Sequence, residues 1–172
     1  MKEKEYMRLE SDSIGTMEVP EDAYYGVQAL RAKENFPITG TKLHPVFIKN
    51  LAKIKRAAAI TNRKAGRLKP EIANAIEASA NEVICGMFDK DFIVDGIQGG
   101  AGTSANMNMN EVIANRAIEM LCGKKGDYTI VHPNDHVNMA QSTNDVIPTA
   151  GKLTVLDLLK PLDKSLSLLT EA

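Results

Sequence analysis

The sequence has no Trp, and aromatic residues make up only 5% of its 172 positions. It also lacks a surplus of either charge, with 21 basic against 22 acidic residues and a net charge of -1. Without a basic stripe interleaved with aromatics there is little to stack on bases or hold a phosphate backbone, so no nucleic-acid partner is expected. No apolar run approaches the ~20 residues that span a bilayer, so no membrane-spanning helix is expected. The opening Met1-Lys2-Glu3-Lys4-Glu5 leads into polar sequence without an apolar core, which does not fit a signal peptide. Cysteine is equally sparse. Cys85 and Cys122 stand far apart, outside any CxxC spacing, and read as reduced thiols near helix ends in a cytoplasmic protein.

What is present is 44% apolar and 25% charged, rich in Ala and Leu, a balance that fits a mainly α protein with its own core. Residues 7–40 are turn-rich. Met7–Glu10 and Thr16–Val19 alternate apolar and polar around Asp12-Ser13-Ile14-Gly15 and predict a small β-hairpin. Tyr24-Tyr25-Gly26-Val27-Gln28 opens a short helical segment. From Pro45 to Lys64, Phe47, Leu51, Ile54, Ala58 and Thr61 recur at helical steps, with Pro45 suited to the first position and Gly66 to the stop. The same punctuation, Pro70 and Gly86, brackets a second helix to about Cys85. A third is expected from near Asn106–Asn110 to Leu121, followed by an extended Tyr128–Val131 and a polar loop to Asp145. After Pro148, the residues Val155, Leu158, Leu159, Leu162, Leu166 and Leu169 form a stripe close to a heptad seam, with Pro161 expected to kink it. Such a stripe needs partner helices, and with no cap before Ala172 the chain reads as a fragment that stops inside a long bundle helix.

Two polar regions could carry chemistry. The loop Gly99-Gly100-Ala101-Gly102-Thr103 clusters glycines that let backbone amides approach a ligand, and it feeds a helix N-terminus that favours an anion. Taken alone it fits an ordinary flexible turn. Neither a Walker loop nor a dinucleotide fingerprint is present, so nucleotide binding is not expected. The run Gln141-Ser142-Thr143-Asn144-Asp145 is denser. Three neutral donors in a row suit a carboxylate and can strengthen as charge builds on it, whereas local Asx turns and capping account for only one or two of them. His132 and His136 share helical spacing, but Pro133 lies between them and no acidic third ligand follows, which argues against a metal. A proton carrier and a hydrogen-bonded structural histidine are the readings left, the second favoured. His44 reads as an exposed cap, Met107, Met109 and Met120 as core fillers. Asn106, Asn108, Asn110 and Glu111 could reach the same pocket.

At Gly99–Ala117 (GGAGTSANMNMNEVIANRA) and Pro133–Asp145 (PNDHVNMAQSTND) the chain resembles two signature regions of the aspartase/fumarase lyase superfamily. The resemblance runs from about Met7 to the end. Within the superfamily the details look like its aspartate ammonia-lyase branch. Fumarases usually carry Ser where Ala101 stands, and Tyr24–Gln28 and Thr143 point the same way. His132-Pro133-Asn134-Asp135 instead matches a second dicarboxylate site described for fumarases, involving His132, Asn134 and Asp135, which keeps a class II fumarase open.

The resemblance implies a mainly α N-terminal lyase domain with a small β-hairpin (1–145), plus the truncated start of a central long-helix bundle (146–172). It implies cofactor-independent and reversible elimination of ammonia from L-aspartate to fumarate by a homotetramer. Thr103, Ser142 and Thr143 would hold a carboxylate of this small dicarboxylate substrate, and Asn144 would meet its amino group. The family's serine-bearing base loop falls beyond residue 172, so the fragment holds no catalytic base and is expected to be inactive alone. The reading from another class is a non-catalytic helical association module, against which the donor cluster argues.

Overall fold

The computed structural model describes residues 6–171; the polar start Met1–Glu5 and Ala172 lie outside the described residues. An antiparallel hairpin, β1 (Met7–Ser11) and β2 (Thr16–Pro20), pairs Met7 with Pro20 and Ser11 with Thr16. Asp12 closes it, its Oδ1 accepting from the backbone N–H of Ile14 and Gly15 at 2.9 and 3.0 Å. Strand β1 is inverted relative to ordinary amphipathic strands: Leu9 is 72% exposed, while Arg8 and Glu10 are buried. Their partners explain it. The Arg8 guanidinium donates to the carbonyls of Pro20, Ala23 and Tyr25 and, through Nε, to Glu10, stapling the hairpin to the chain that follows.

Helix α1 (Val27–Asn35) comes next, then α2 (Pro45–Lys64), α3 (Pro70–Ile84), α4 (Thr103–Met120) and α5 (Thr143–Glu171). The bounds of α2 and α3 agree with the Pro and Gly punctuation, and the His44 ring caps α2 by accepting from the Val46 N–H at 3.2 Å. The buried face of α2 differs from the apolar row. It consists of Ile48, Asn50, Leu51, Ala52, Lys55, Ala59 and Asn62, while Thr61 is exposed. Counting only apolar residues turns the face, because it passes over polar side chains that find partners inside.

The core joins Leu51, Ile76, Phe92, Met109, Ile113 and Ile118, drawn from α2, α3, α4 and the segment between α3 and α4. Three local expectations are corrected. Helix α4 begins at Thr103 rather than near Asn106, because Gly102 (φ +91°) turns the chain directly into it. Tyr128–Val131 is a turn rather than extended, with the Ile130 N–H bonded to the Asp127 carbonyl and Asp127 Oδ1 accepting from the Thr129 hydroxyl. Helix α5 begins at Thr143, ahead of Pro148, and runs on through Pro161 without interruption. Its early part packs on α2, where Asn50 Nδ2 donates to Thr154 and Asp157. Its later apolar residues, including Leu162, Leu166 and Leu169, are exposed.

Candidate active site

Helix α1 has neither a capping side chain nor an acidic residue in its first turn, so its leading N–H groups need acceptors from elsewhere. Two buried carboxylates supply them. Glu111, on α4, accepts from Gly26, Gln28 and Ala29 at 2.9–3.0 Å, and Glu10 accepts from Val27 at 3.0 Å. Burial pushes the Glu111 carboxyl up to about 7, against the pull of those donors. Tyr128, whose burial beside two carboxylates holds its phenol protonated, donates to Glu10 at 2.8 Å and accepts from Asn115. Gly26 is obligatory here, because a Cβ would sit 2.6 Å from Glu10 Oε2 and 2.8 Å from Glu111 Oε1. Asn108 donates to the Asp91 carbonyl and accepts from Ile93 N–H. Glu111 and Asn108 are thus staples of the fold and not, as their spacing had suggested, part of a ligand pocket.

Asn106 does belong with the polar run. Thr103 is the first residue of α4 and Asn106 stands one turn on, on the same side of the helix. Asn106 Nδ2 lies 3.2 Å from Thr143 Oγ1, at the first residue of α5, so the two helix N-termini meet. Gly102 allows this approach, since a Cβ there would stand 2.8 Å from Ile147 Cγ2. Ser142 precedes α5 as its cap: its Oγ accepts from the Asn144 N–H and its carbonyl from Asp145 and Val146. Ser142 and Asn144 are exposed, Thr143 is half-buried, and Thr103 is exposed with its hydroxyl on the Gly100 carbonyl at 2.6 Å. Hydroxyl donors beside two helix N-termini are suited to an anion the size of a carboxylate.

Pattern reading missed Lys55. It is fully buried on α2, and its ammonium donates to Asn106 Oδ1 at 2.7 Å and Asn138 Oδ1 at 2.8 Å. Desolvation brings it down to about 7. The signal was a lysine standing at four-residue spacing between Leu51 and Ala59 on the inward side of a helix.

His132 and Asn134 stand apart from the Thr143 group. They line a cavity of about 460 Å³ with Gln28, Arg31 and Tyr128. His132 Nδ1 accepts from the N–H groups of Asn134 and Asp135 at 3.2 Å, capping a single π-helical turn over Pro133–Val137. Asn134 and Asp135 are exposed. His136 Nδ1 in turn accepts from the His132 N–H at 2.8 Å, and burial lowers its pKa. Both histidines have local structural partners.

Residues 15–172 match the family described as Lyase. The chain is 55% identical to an aspartate ammonia-lyase of a Bacillus species, over 91% of its own length and 33% of the relative's. It is also 55% identical to a class II fumarate hydratase of Halobacterium salinarum, over 88% of its length and 32% of the relative's. Among solved structures, a fumarate lyase:delta crystallin from Brucella melitensis superposes with a TM-score of 0.86 at 50% identity, covering 88% of this chain and 36% of that one. The chain belongs to this lyase family, the superfamily of aspartases and fumarases. It spans about a third of the length of the curated relatives it matches.

Proposed function

We propose that these residues form the N-terminal portion of an aspartate ammonia-lyase, which eliminates ammonia from L-aspartate to give fumarate without a cofactor. In this reading residues 1–145 are its N-terminal domain, residues 146–172 open a central helical bundle, and the whole enzyme is a cytoplasmic homotetramer. The difficult step is removal of a weakly acidic proton from the carbon next to a carboxylate. The charge is tolerable only if that carboxylate takes it up as a dianionic enediolate. Donors aimed at the carboxylate then act more strongly on the transition state than on the substrate. Thr103, Ser142 and Thr143 fill that role, Asn144 meets the amino group, and the base that takes the proton comes from outside these residues.

The observation that carries the reading is the meeting of Thr143, at the start of α5, with Asn106, one turn into α4. Aspartate ammonia-lyases of Bacillus subtilis (54% identical) and Helicobacter pylori (49%) support the choice of branch. Assay of the full-length enzyme with aspartate and with malate, following fumarate by its ultraviolet absorbance, tests it. Release of fumarate from aspartate is expected, and turnover of malate alone would replace this reading with the fumarase one. The fumarase reading draws on the Halobacterium relative and on the cavity at His132 and Asn134, which with Asp135 would be a second dicarboxylate site. The 172-residue chain by itself is expected to release no fumarate.

A further inference from the structure

We propose that Lys55 is a positioning residue for this reaction: through the Asn106 amide it dictates which way the Thr143 hydroxyl points its proton. The inference rests on the reading of Thr143 as a carboxylate donor. A lysine ammonium has N–H bonds and no lone pair, so the atoms at 2.7 and 2.8 Å from Lys55 Nζ are the oxygens of Asn106 and Asn138. Once Asn106 Oδ1 faces Lys55, its NH2 group faces the other way, 3.2 Å from both Asn138 Oδ1 and Thr143 Oγ1. Asn138 is held in the same sense, its own NH2 donating to the Gln141 carbonyl at 3.3 Å. Thr143 Oγ1 therefore accepts from Asn106, and its single proton is left to donate.

Nothing within the helix takes that proton. Thr149 and Thr154 donate to the carbonyls of Asp145 and Ala150, one turn back. Thr143 is the first residue of α5 and has no helical carbonyl one turn behind it. Its proton is available to a bound carboxylate. The ordering belongs to the ammonium, which has three N–H bonds and no lone pair, whereas the neutral amine carries a lone pair and can accept from an amide NH2. A buried lysine without a carboxylate partner is costly, and a methionine would fill the same space without that cost. What the lysine adds is the polarity of the chain Lys55, Asn106, Thr143.

The test is a cycle in the full-length enzyme: Lys55→Met, Thr143→Val and the double variant. Lys55→Met is expected to lower kcat about a hundredfold with a smaller change in KM, and to cost nothing further in the Thr143→Val background. Lys55→Gln, which keeps an NH2 donor group, is expected to recover part of the loss, and it replaces Lys55→Met in the cycle if the latter does not fold. Equal losses in both backgrounds would overturn the proposal. A second measurement is independent of the reaction: in the 172-residue chain, the Asn106 side-chain NH2 resonances should be slow to exchange and should lose that protection in the Lys55 variant. Unchanged Asn106 resonances would also overturn it. If the unsubstituted full-length enzyme turns over neither aspartate nor malate, the reaction reading falls, while the resonance measurement still decides the role of Lys55.

Discussion

Glu111 and Lys55 are both ionisable side chains buried to within 1% of completeness, and they are buried to opposite ends. Every contact of Glu111 closes inward. Its oxygens take three N–H groups at the start of α1, Glu10 takes a fourth, and Arg8 and Tyr128 complete Glu10. The chain of bonds from Lys55 runs outward instead, through Asn106 to a half-buried hydroxyl on the first turn of α5. A buried charge surrounded by backbone donors anchors a helix. A buried donor surrounded by amides passes on a direction, because an amide whose oxygen is committed has only its NH2 left to offer. The first network serves stability and the second, in the function proposed above, serves a site.

Substitutions can break this contrast, and the largest effect is expected at the anchor. Glu111→Ala strands three N–H groups at the α1 N-terminus and should cost about 3–5 kcal/mol in urea unfolding, with activity per folded molecule preserved. Thr143→Val should do the reverse in the full-length enzyme. Turnover should drop about 10²–10³-fold, with stability within about 0.5 kcal/mol of the unsubstituted protein. Gly26→Ala pushes a methyl among the oxygens of Glu10 and Glu111 and should destabilise by about 1–3 kcal/mol, again without a specific kinetic defect. Were Gly26→Ala to impair turnover more than stability, the separation of the two networks would fail.

The most diagnostic effect is the dependence of stability on pH. The Glu111 carboxyl sits at about 7 in the fold against 4.5 ordinarily, so between those values the folded protein holds a proton that the unfolded chain has lost. Its contribution to stability therefore falls as pH rises from 4.5 to 7. Lys55 sits at about 7 against 10.5, so over that window the unfolded chain holds the extra proton and stability rises with pH. Together the two groups give a minimum near 7 in unfolding free energy. Glu111→Gln should remove the falling limb and Lys55→Met the rising one, each leaving the other in place.

Much of the frame was legible in advance. Pro45 and Pro70 at helix starts and Gly66 and Gly86 after helix ends act within a single turn, so α2 and α3 could be bounded from neighbours in sequence. The hairpin was legible from alternation closed by Asp12, and the polar run from the density of donors at Ser142–Asn144. The start of α4 was placed too late because the turn into it rests on the positive φ of Gly102, which leaves no mark in apolar periodicity. The buried face of α2 was misread for another reason. Lys55 and Asn62 are tolerated inside only because Asn106, Asn138 and the Met139 carbonyl meet them there.

The sequence by itself determined the mainly helical class, the punctuation of the helices and the two donor-rich segments, since these follow from backbone preferences and short-range periodicity. Only the tertiary structure decided which polar residues close on the fold and which meet the donor run. Glu111 and Asn106 lie five positions apart on one helix and looked alike in sequence. One turns to the N-terminus of α1 and the other to Lys55 and Thr143, and that difference is set by partners 37 to 85 residues distant.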